Sequence, residues 1–238
     1  GDETRSSQSR AAPSGDSVTY TALIRDTTAG TIGAATASRS LACGNAVILV
    51  DPRVGAVASQ AWTNPSLRAK MLSAMSAGAS AADAVARVPE WDEGFPWRQV
   101  AALGHSGAGA ALTGSDVSSW AGHRIGADAV IAGNLLTGKG VLEAMATADE
   151  DDRSDARKAG DARLAYRLLA MLEAGERAGG DARGRQSAAI VVGRIGGEVT
   201  YDLRVDDAED PLRELRRLID LRAAERGVEA APLSARTE

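Results

Sequence analysis

Short runs of hydrophobic and polar residues in alternation predict that the fold begins with β-strands. The runs TYTALIRD and TIGAATASRS flank the turn signal TTAG, and the runs NAVILVD and RVGAVASQ meet at the turn signal DPR. Apolar runs of this length, bounded by Gly, Pro and Asp, are typical of strands joined by tight turns. Further strands are predicted by RQVAALGHSGAGAALTG, a hairpin with its tip at Ser106–Gly109, by WAGHRIGADAVIAGN, and by the pair QSAAIVVGRI and VTYDLRVDD.

Helical spacing of apolar residues predicts helices between these groups of strands. The first follows Asn64 and Pro65, which suit an N-cap and a first helical position, and the second follows Ser80 and Asp83, which fit a capping box. The charged stretch DEDDRSDARK at 149–158 is predicted to be solvated. Three more helices are predicted, around 141–148, over an amphipathic stretch that starts at 164 and ends at 179–180, and from 211 onward.

The order of the elements predicts an α+β fold. Strands occur in clusters and do not alternate singly with helices, which argues against a doubly wound parallel sheet. Two mostly antiparallel sheets covered by helices, a four-layer αββα sandwich, fit this order best. We expect one domain over 18–226, a disordered leader rich in Ser, Asp, Arg and Gly over 1–17, and a flexible tail over 227–238.

Composition narrows the classes of partner. The net charge is −5, no dense Lys/Arg stripe occurs and aromatic residues make up 3%, so a nucleic-acid partner is not expected. No apolar run approaches the length of a membrane helix, and a cytoplasmic location is expected, with processing or export before Gly1 left open. Cys43 is a single cysteine and no CxxC or HExxH pair occurs, so neither a disulfide, a metal nor another cofactor is expected. Homo-oligomerisation stays open.

Two local motifs look catalytic but fail in detail. The segment from Gly133 to Gly140 has the glycine spacing of a phosphate-binding loop, but Gly140 stands where the magnesium-binding hydroxyl belongs. The segment GHSGAG matches a serine-hydrolase elbow except at Ala108, where glycine is required. Neither segment therefore predicts a function.

Several strings together resemble one family. They are TYTALIRD, ASRSLACGNAV, GAVASQAWTNP, RQV, TGSDVSSWAGH, AGNLLTGKGVLEAM, LLAMLEAGERAGGDARGRQSAAIVV and DLRVDDAEDPLRELRRL, and they resemble, in order and over about 18–220, the DUF1028 family, a domain of unknown function. The resemblance implies the αββα fold of the N-terminal nucleophile (Ntn) hydrolases. In that class the first residue of a strand is the nucleophile, and its own α-amino group is the general base.

The resemblance places the nucleophile at Thr19. A hydroxyl needs a nearby base, and an α-amino group has a pKa of roughly 7.7–8.0, close to working pH. This chain departs from the family pattern because Val18 precedes Thr19, so the Thr19 nitrogen is an amide and not a base. Three readings follow: the Val18–Thr19 bond is cleaved, the nucleophile works in another way, or the protein is inactive and Thr19 is an ordinary strand residue.

The resemblance and side-chain chemistry together supply the other candidates. Arg39 at the end of the second strand could orient the amine or bind a substrate carboxylate, and Asn134 could donate to an oxyanion. Ala132 stands where the family usually has Gln, which removes one polar group. The predicted substrate-binding residues are Gln60, Asn64, His123, Arg185, Gln186 and Asp206, with structural roles as the alternative for each.

Three functional hypotheses result. The first is a hydrolase of an amide, ureide or peptide-like C–N bond, with a small-molecule or peptide-like substrate and Thr19 as nucleophile. The second is a binding or assembly module that keeps the fold and lacks the chemistry. The third and weakest is a metal-dependent hydrolase that uses His123 and Asp206.

Overall fold

The computed structural model describes residues 19–117, 119–153, 160–181 and 183–229. The leader predicted over 1–17, the later part of the charged stretch and the chain after 229 lie outside these ranges. The last helix extends to Glu229, beyond the start of the predicted tail at 227.

The larger of two sheets has six strands, and the strand that starts at Thr19 lies near its middle. Every pairing in it is antiparallel, and the order is β10-β9-β2-β1-β8-β7. The chain therefore places its first strand between one strand that follows directly and one from its second half. The strand bounds are β1 Thr19–Asp26, β2 Thr31–Ser38, β7 Trp120–Ile125, β8 Ala129–Leu136, β9 Ser187–Arg194 and β10 Val199–Val205.

The smaller sheet has four antiparallel strands in the order β3-β4-β5-β6. The four strands predicted at the start of the chain are therefore divided between two sheets, with a short helix between them. The predicted hairpin with its tip at Ser106–Gly109 is confirmed. The strand bounds are β3 Ile48–Asp51, β4 Gly55–Ala61, β5 Arg98–Gly104 and β6 Ala110–Thr113.

Helices cover the outer face of each sheet, which confirms the predicted α+β, four-layer sandwich. Helices α5 to α7 pack on the six-stranded sheet and α2 to α4 on the four-stranded sheet. No described helix combines the length and the apolar character that a membrane crossing requires. The bounds are α1 Cys43–Ala46, α2 Ser66–Ser76, α3 Ala81–Ala86, α4 Val88–Trp91, α5 Gly140–Arg153, α6 Gly160–Arg177 and α7 Pro211–Glu229.

The alternation along β1 explains how the layers are held together. Tyr20, Ala22 and Ile24 are buried against the helices of the larger sheet, and Leu23 is buried against the smaller sheet. Successive strand residues point to opposite faces, so Thr19 and Thr21 share the inner face with Leu23. At one end, the space between the sheets is filled mainly by small and branched apolar side chains.

One charged residue contradicts the predicted solvation of 149–158. Asp149 lies on α5 and is buried, and its Oδ1 accepts a hydrogen bond of 2.5 Å from Nε of Arg167, which is also buried. Arg167 Nη1 lies 3.8 Å from Asp26 at the end of β1. Because a buried carboxylate needs a cation beside it, the position of α6 and not the local charge pattern decides where Asp149 points.

Candidate active site

Polar side chains fill the other end of the space between the sheets. They sit at inner-face positions of strands in both sheets, and all are buried. Threonine hydroxyls line the larger sheet, where Thr21 Oγ1 lies 2.8 Å from Thr36 Oγ1, and Thr21 Oγ1 donates across the gap to Gln60 Oε1 at 2.6 Å. The buried polar set comprises Thr19, Thr21, Thr36, Ser38, Gln60, Gln99, Asn134 and Ser187.

Gln99 at the start of β5 is the hub of this network. Its Oε1 accepts from Gln60 Nε2 at 2.7 Å and from Asn134 Nδ2 at 3.1 Å. Its Nε2 donates to Thr113 Oγ1 and to one backbone carbonyl in each of β7 and β8, all at 2.9 Å. Three acceptors around one end fix the orientation of the amide, because an oxygen there would face other oxygens.

Thr19 opens β1 at this polar end. It is fully buried, and its Oγ1 donates to Ser38 Oγ over 3.4 Å, from which the hydroxyls continue to Ser40 Oγ at 3.1 Å. In the strand register, Thr19 is opposite Ser38 on one side and Asn134 on the other. The predicted nucleophile, one predicted oxyanion residue and a second hydroxyl are therefore adjacent.

Backbone distortions occur beside the network. Ala61 directly follows Gln60 with a φ of 64°, and Leu135 directly follows Asn134 with a φ of 52°. Left-handed backbone at residues other than glycine costs about 1–3 kcal/mol and is concentrated at functional sites. Near Leu135 the pairing of β7 with β8 also shifts register. The strained residues therefore lie directly after Gln60 and Asn134, the two residues whose side-chain amides join the network.

His123 on β7 lies at the outer end of the network. Its Nδ1 is 2.9 Å from Thr113 Oγ1, which already accepts from Gln99. Desolvation by the surrounding atoms lowers the pKa of His123, although the ring is exposed at the surface. A neutral ring protonated on Nε2 can accept the Thr113 proton on Nδ1 and complete the chain of hydrogen bonds.

The lowered pKa of His123 is directly measurable, because the chain has only two histidines. We expect the ring protons of His123 in a ¹H NMR titration to respond below the ordinary value of about 6.5, with H123Q assigning the signal. Since the unfolded state then binds the proton more readily, stability falls as pH drops from about 6.5 through the folded-state pKa. A midpoint at or above the ordinary value contradicts the desolvation argument.

Three other predicted residues, Arg39, Arg185 and Gln186, lie beside the start of β9. Arg39 Nη1 donates to Gln186 Oε1 at 2.7 Å, and the Arg39 backbone N–H donates to Asp181 at 2.8 Å. Arg185 pairs with Glu176 at 2.7 Å. Arg39 directly follows Ser38, so the Arg39–Gln186 pair borders the polar end, whereas Arg185 is committed to a surface ion pair.

Asn64 has a structural role apart from the network. Its Oδ1 accepts from both the backbone N–H and the hydroxyl of Ser66 at the start of α2, and its Nδ2 donates to Asp92 at 2.8 Å. Burial opposes ionisation of Asp92, but hydrogen bonds from Arg98, Asn64 and a backbone N–H outweigh it and lower its pKa. The helix begins one residue later than predicted, at Ser66, with Pro65 in the N-cap position, so the predicted N-cap role of Asn64 is wrong and its side chain instead holds the turn before the helix.

The pairing of His123 with Asp206 as metal ligands is wrong. His123 lies on β7 and Asp206 follows β10, at opposite edges of the six-stranded sheet. Five strand spacings separate these edges by about 24 Å, far beyond the reach of one ion. Asp206 is exposed, and its backbone carbonyl accepts from Ala42 N–H. The described ranges contain no group of three His, Cys, Asp or Glu side chains that could hold a metal.

Cys43 does not supply an alternative nucleophile. The thiol is buried near the polar end, and burial raises its pKa to about 11. A protonated thiol is a weak nucleophile.

Several residues of the network escaped the sequence analysis. Gln99, Thr36, Ser38 and Thr113 were not predicted as site residues, although Gln99 is within the string RQV that contributes to the family resemblance. A usable signal exists in retrospect. Each is a polar residue at an inner-face position of a strand that also carries small or apolar residues on that face, such as Ile32 and Ala34 on β2 and Ala101 and Leu103 on β5.

The fold and the site together define an α+β protein of four layers, with a closed polar site where its central strand begins. Comparison with known proteins gives the family. The family model of DUF1028, a family of unknown function, matches residues 19–215, and the chain belongs to this family. The predicted resemblance is thus confirmed, and the matched region starts at Thr19.

Several solved structures resemble the chain, including the following two. The crystal structure of protein SPO2555 from Silicibacter pomeroyi, also of DUF1028, has a TM-score of 0.76 and 32% identity, covering 86% of this chain and 85% of that one. Anbu (ancestral beta-subunit) from Yersinia bercovieri has a TM-score of 0.41 and 10% identity, with 90% and 99% covered. No curated protein matches the chain.

Proposed function

We propose that the protein is an Ntn amidohydrolase in which Thr19, freed by cleavage of the Val18–Thr19 bond, attacks an amide, ureide or peptide-like C–N bond. The observation that carries the proposal is the place of Thr19. It is the first residue of a central strand, with its hydroxyl 3.4 Å from Ser38 Oγ inside a closed polar site. The family match from Thr19 onward supports it.

The proposed reaction has two steps. Thr19 Oγ forms a bond to the substrate carbonyl carbon while the hydroxyl proton passes to the free α-amino group, which later gives it to the departing nitrogen as the C–N bond breaks. Water then attacks the resulting ester, its proton passes to the amine, and the acid leaves with Thr19 restored. A buried site helps because it keeps hydrogen-bond donors fixed around the developing charge.

Arg39 is the proposed anchor for an anionic substrate group. Its guanidinium is exposed and bonds to the neutral amide of Gln186, and none of the ion pairs among the described residues involves it. An arginine fork can bind a carboxylate through two parallel hydrogen bonds. Since Arg39 borders Ser38, a carboxylate bound there lies at the mouth of the Thr19 site.

The proposal is tested by comparing two chains that differ by one residue before Thr19. One chain starts at Thr19 and the other carries a single extra glycine, released from fusions by a protease that leaves the chosen residue first. We expect only the first to hydrolyse members of a panel of anionic amides and ureides, because only it has a free amine beside Oγ.

Processing is checked on protein from its native host by intact mass and N-terminal sequencing. We expect a chain that starts at Thr19. A host protein that always retains Val18, or equal hydrolysis by both test chains, contradicts the free-amine mechanism.

The alternative is a binding or assembly module that keeps the fold without the chemistry. Full burial of Thr19 and the hydrogen bonds that occupy Gln60 and Gln99 favour it. A chain starting at Thr19 that hydrolyses nothing in the panel, and forms no ester with an activated amide, supports this reading.

A further inference from the structure

We infer that Asn134 is a positioning residue that holds the α-amino group of Thr19, through its backbone carbonyl and its side-chain Oδ1. The inference rests on the proposed function and assigns to Asn134 a role different from that of an oxyanion donor. Two independent features support it. One is the alternation of hydrogen-bonded and non-hydrogen-bonded pairs between β1 and β8, and the other is the buried Oδ1 of Asn134, which has no partner among the described residues.

The ladder directs the Thr19 nitrogen at Asn134. Arg25 N–H donates to the carbonyl of Asp128, its opposite residue, at 3.0 Å. In an antiparallel pair, opposite residues alternate between hydrogen-bonded and non-hydrogen-bonded pairs. Thr19 lies six residues before Arg25 on β1, an even number of steps, so Thr19 and Asn134 also form a hydrogen-bonded pair. The nitrogen of Thr19 therefore faces the Asn134 carbonyl, both as an amide and after it becomes an amine.

The side chain of Asn134 adds a second acceptor. It is fully buried, its Nδ2 donates to Gln99, and its Oδ1 has no hydrogen-bond partner in the part of the chain that the structure describes. The two ends of the amide cannot be exchanged, because Gln99 presents Oε1 to Asn134 and its own nitrogen is held by three acceptors. A buried acceptor without a donor is costly, so a donor that comes within reach of it is favoured.

A free amine supplies that donor. Cleavage before Thr19 replaces one amide N–H by an amine with two or three N–H groups, so one can remain on the Asn134 carbonyl and another can reach Oδ1. Side chains of opposite residues on one face have Cβ atoms about 4.5–5.5 Å apart, which is within reach of this contact. The lone pair of the amine is then directed toward Thr19 Oγ.

The same geometry disfavours Asn134 as the main oxyanion donor. An oxyanion needs donors, and the nitrogen of Asn134 is committed to Gln99 while its free atom is an acceptor. The left-handed Leu135 maintains this arrangement, since the irregularity in β8 returns Leu136 to the helix-side core after Asn134 has faced inward.

Other charged and titratable groups near Thr19 stay constant in the test. Asp181 accepts from the Arg39 backbone N–H and lies 3.5 Å from Arg183, and the Cys43 thiol is buried beside Ser187. None of them is changed in the variants below, so differences between variants report the residue at position 134.

The test measures the α-amine itself, in chains that start at Thr19 and carry ¹⁵N-threonine. The amine ¹⁵N signal is titrated in the parent chain, in N134D, and in N134S and N134L, which remove Oδ1. We expect N134D to raise the amine pKa by about 1–3, as an opposite charge within 4–6 Å does, and N134S or N134L to lower it. N45D, which adds the same charge at an exposed residue on α1, should leave it unchanged.

The outcomes separate this inference from the proposed function. The role of Asn134 is overturned if the amine pKa does not change between the parent and the variants. The comparison uses N134D and whichever of N134S or N134L folds, and it holds even if Thr19 hydrolyses substrate. Shifts in the expected directions support it, even if no panel substrate is cleaved. In an active enzyme, the acidic limb of the kcat/KM profile should move with the amine pKa.

Discussion

Replacement of Thr19 by alanine is expected to abolish hydrolysis in the chain that starts at residue 19. The substitution removes the proposed nucleophilic hydroxyl beside the free amine, and loss of the nucleophile in a serine protease lowers kcat by up to about 10⁶-fold. T19S keeps a hydroxyl at the same place and should retain measurable activity. The measurement is the steady-state rate on the best amide of the panel, with intact mass to detect the acyl-enzyme.

Thr31 provides a matched control for this experiment. It is also a buried threonine at the first position of a strand, and its Oγ1 makes no hydrogen bond to any described residue. T31A therefore makes the same change at the same kind of position, at the other end of the sheet from Thr19, and should leave kcat/KM within about twofold, since no partner is lost. If T19A and T31A reduce activity equally, or if T19A retains it, Thr19 is not the nucleophile.

Removal of the carboxylate at Asp149 is expected to be the most destabilising single change in the helix layer. Arg167 is 2% exposed and keeps its charge at any accessible pH, and its Nη2 has no partner among the described residues, so D149A leaves a buried cation whose remaining ion pair in the described part of the chain is the longer one with Asp26, at 3.8 Å. Breaking a buried pair in this way costs about 3–5 kcal/mol. For a domain of this size that lowers the Tm by about 6–20 °C.

The double variant D149L/R167M distinguishes charge from packing. Apolar residues of similar volume often replace a buried pair at little cost, so most of the stability lost in D149A should return. Urea unfolding followed by tryptophan fluorescence measures both. E214A, which removes an exposed partner of Arg217, should change stability by less than about 1 kcal/mol. A D149A effect as small as that of E214A refutes the buried-charge argument.

Local sequence signals predicted the elements well, because their causes are local. The capping box of Ser80 and Asp83 forms as expected, since both groups lie within one helical turn. Thr19 was identified through the family pattern and Gln60 and Asn134 through their strand-end amides, and all three adjoin the same closed space. The capping box needed only neighbours in the chain, whereas Thr19 needed the family resemblance over about 18–220.

The remaining features depend on which strands become neighbours. Gln99 is a hub only because β5 faces β8 across the gap, and Asp149 is buried only because α6 presents Arg167 between Leu164 and Leu168. Neither contact can be predicted from the residues that flank Gln99 or Asp149 in the sequence. The same reason separates His123 from Asp206, which the sequence could not place on opposite edges of a sheet.

The position of β1 between β2 and β8 has a consequence for when the site can exist during synthesis. Thr19 leaves the ribosome early, whereas its partner Asn134 and the hub Gln99 follow much later in the chain. Non-local pairing of this kind forms late in folding. If the proposed mechanism holds, a nascent chain carries the Thr19 hydroxyl without the Asn134 acceptors, so activity can appear only after nearly the whole domain has folded.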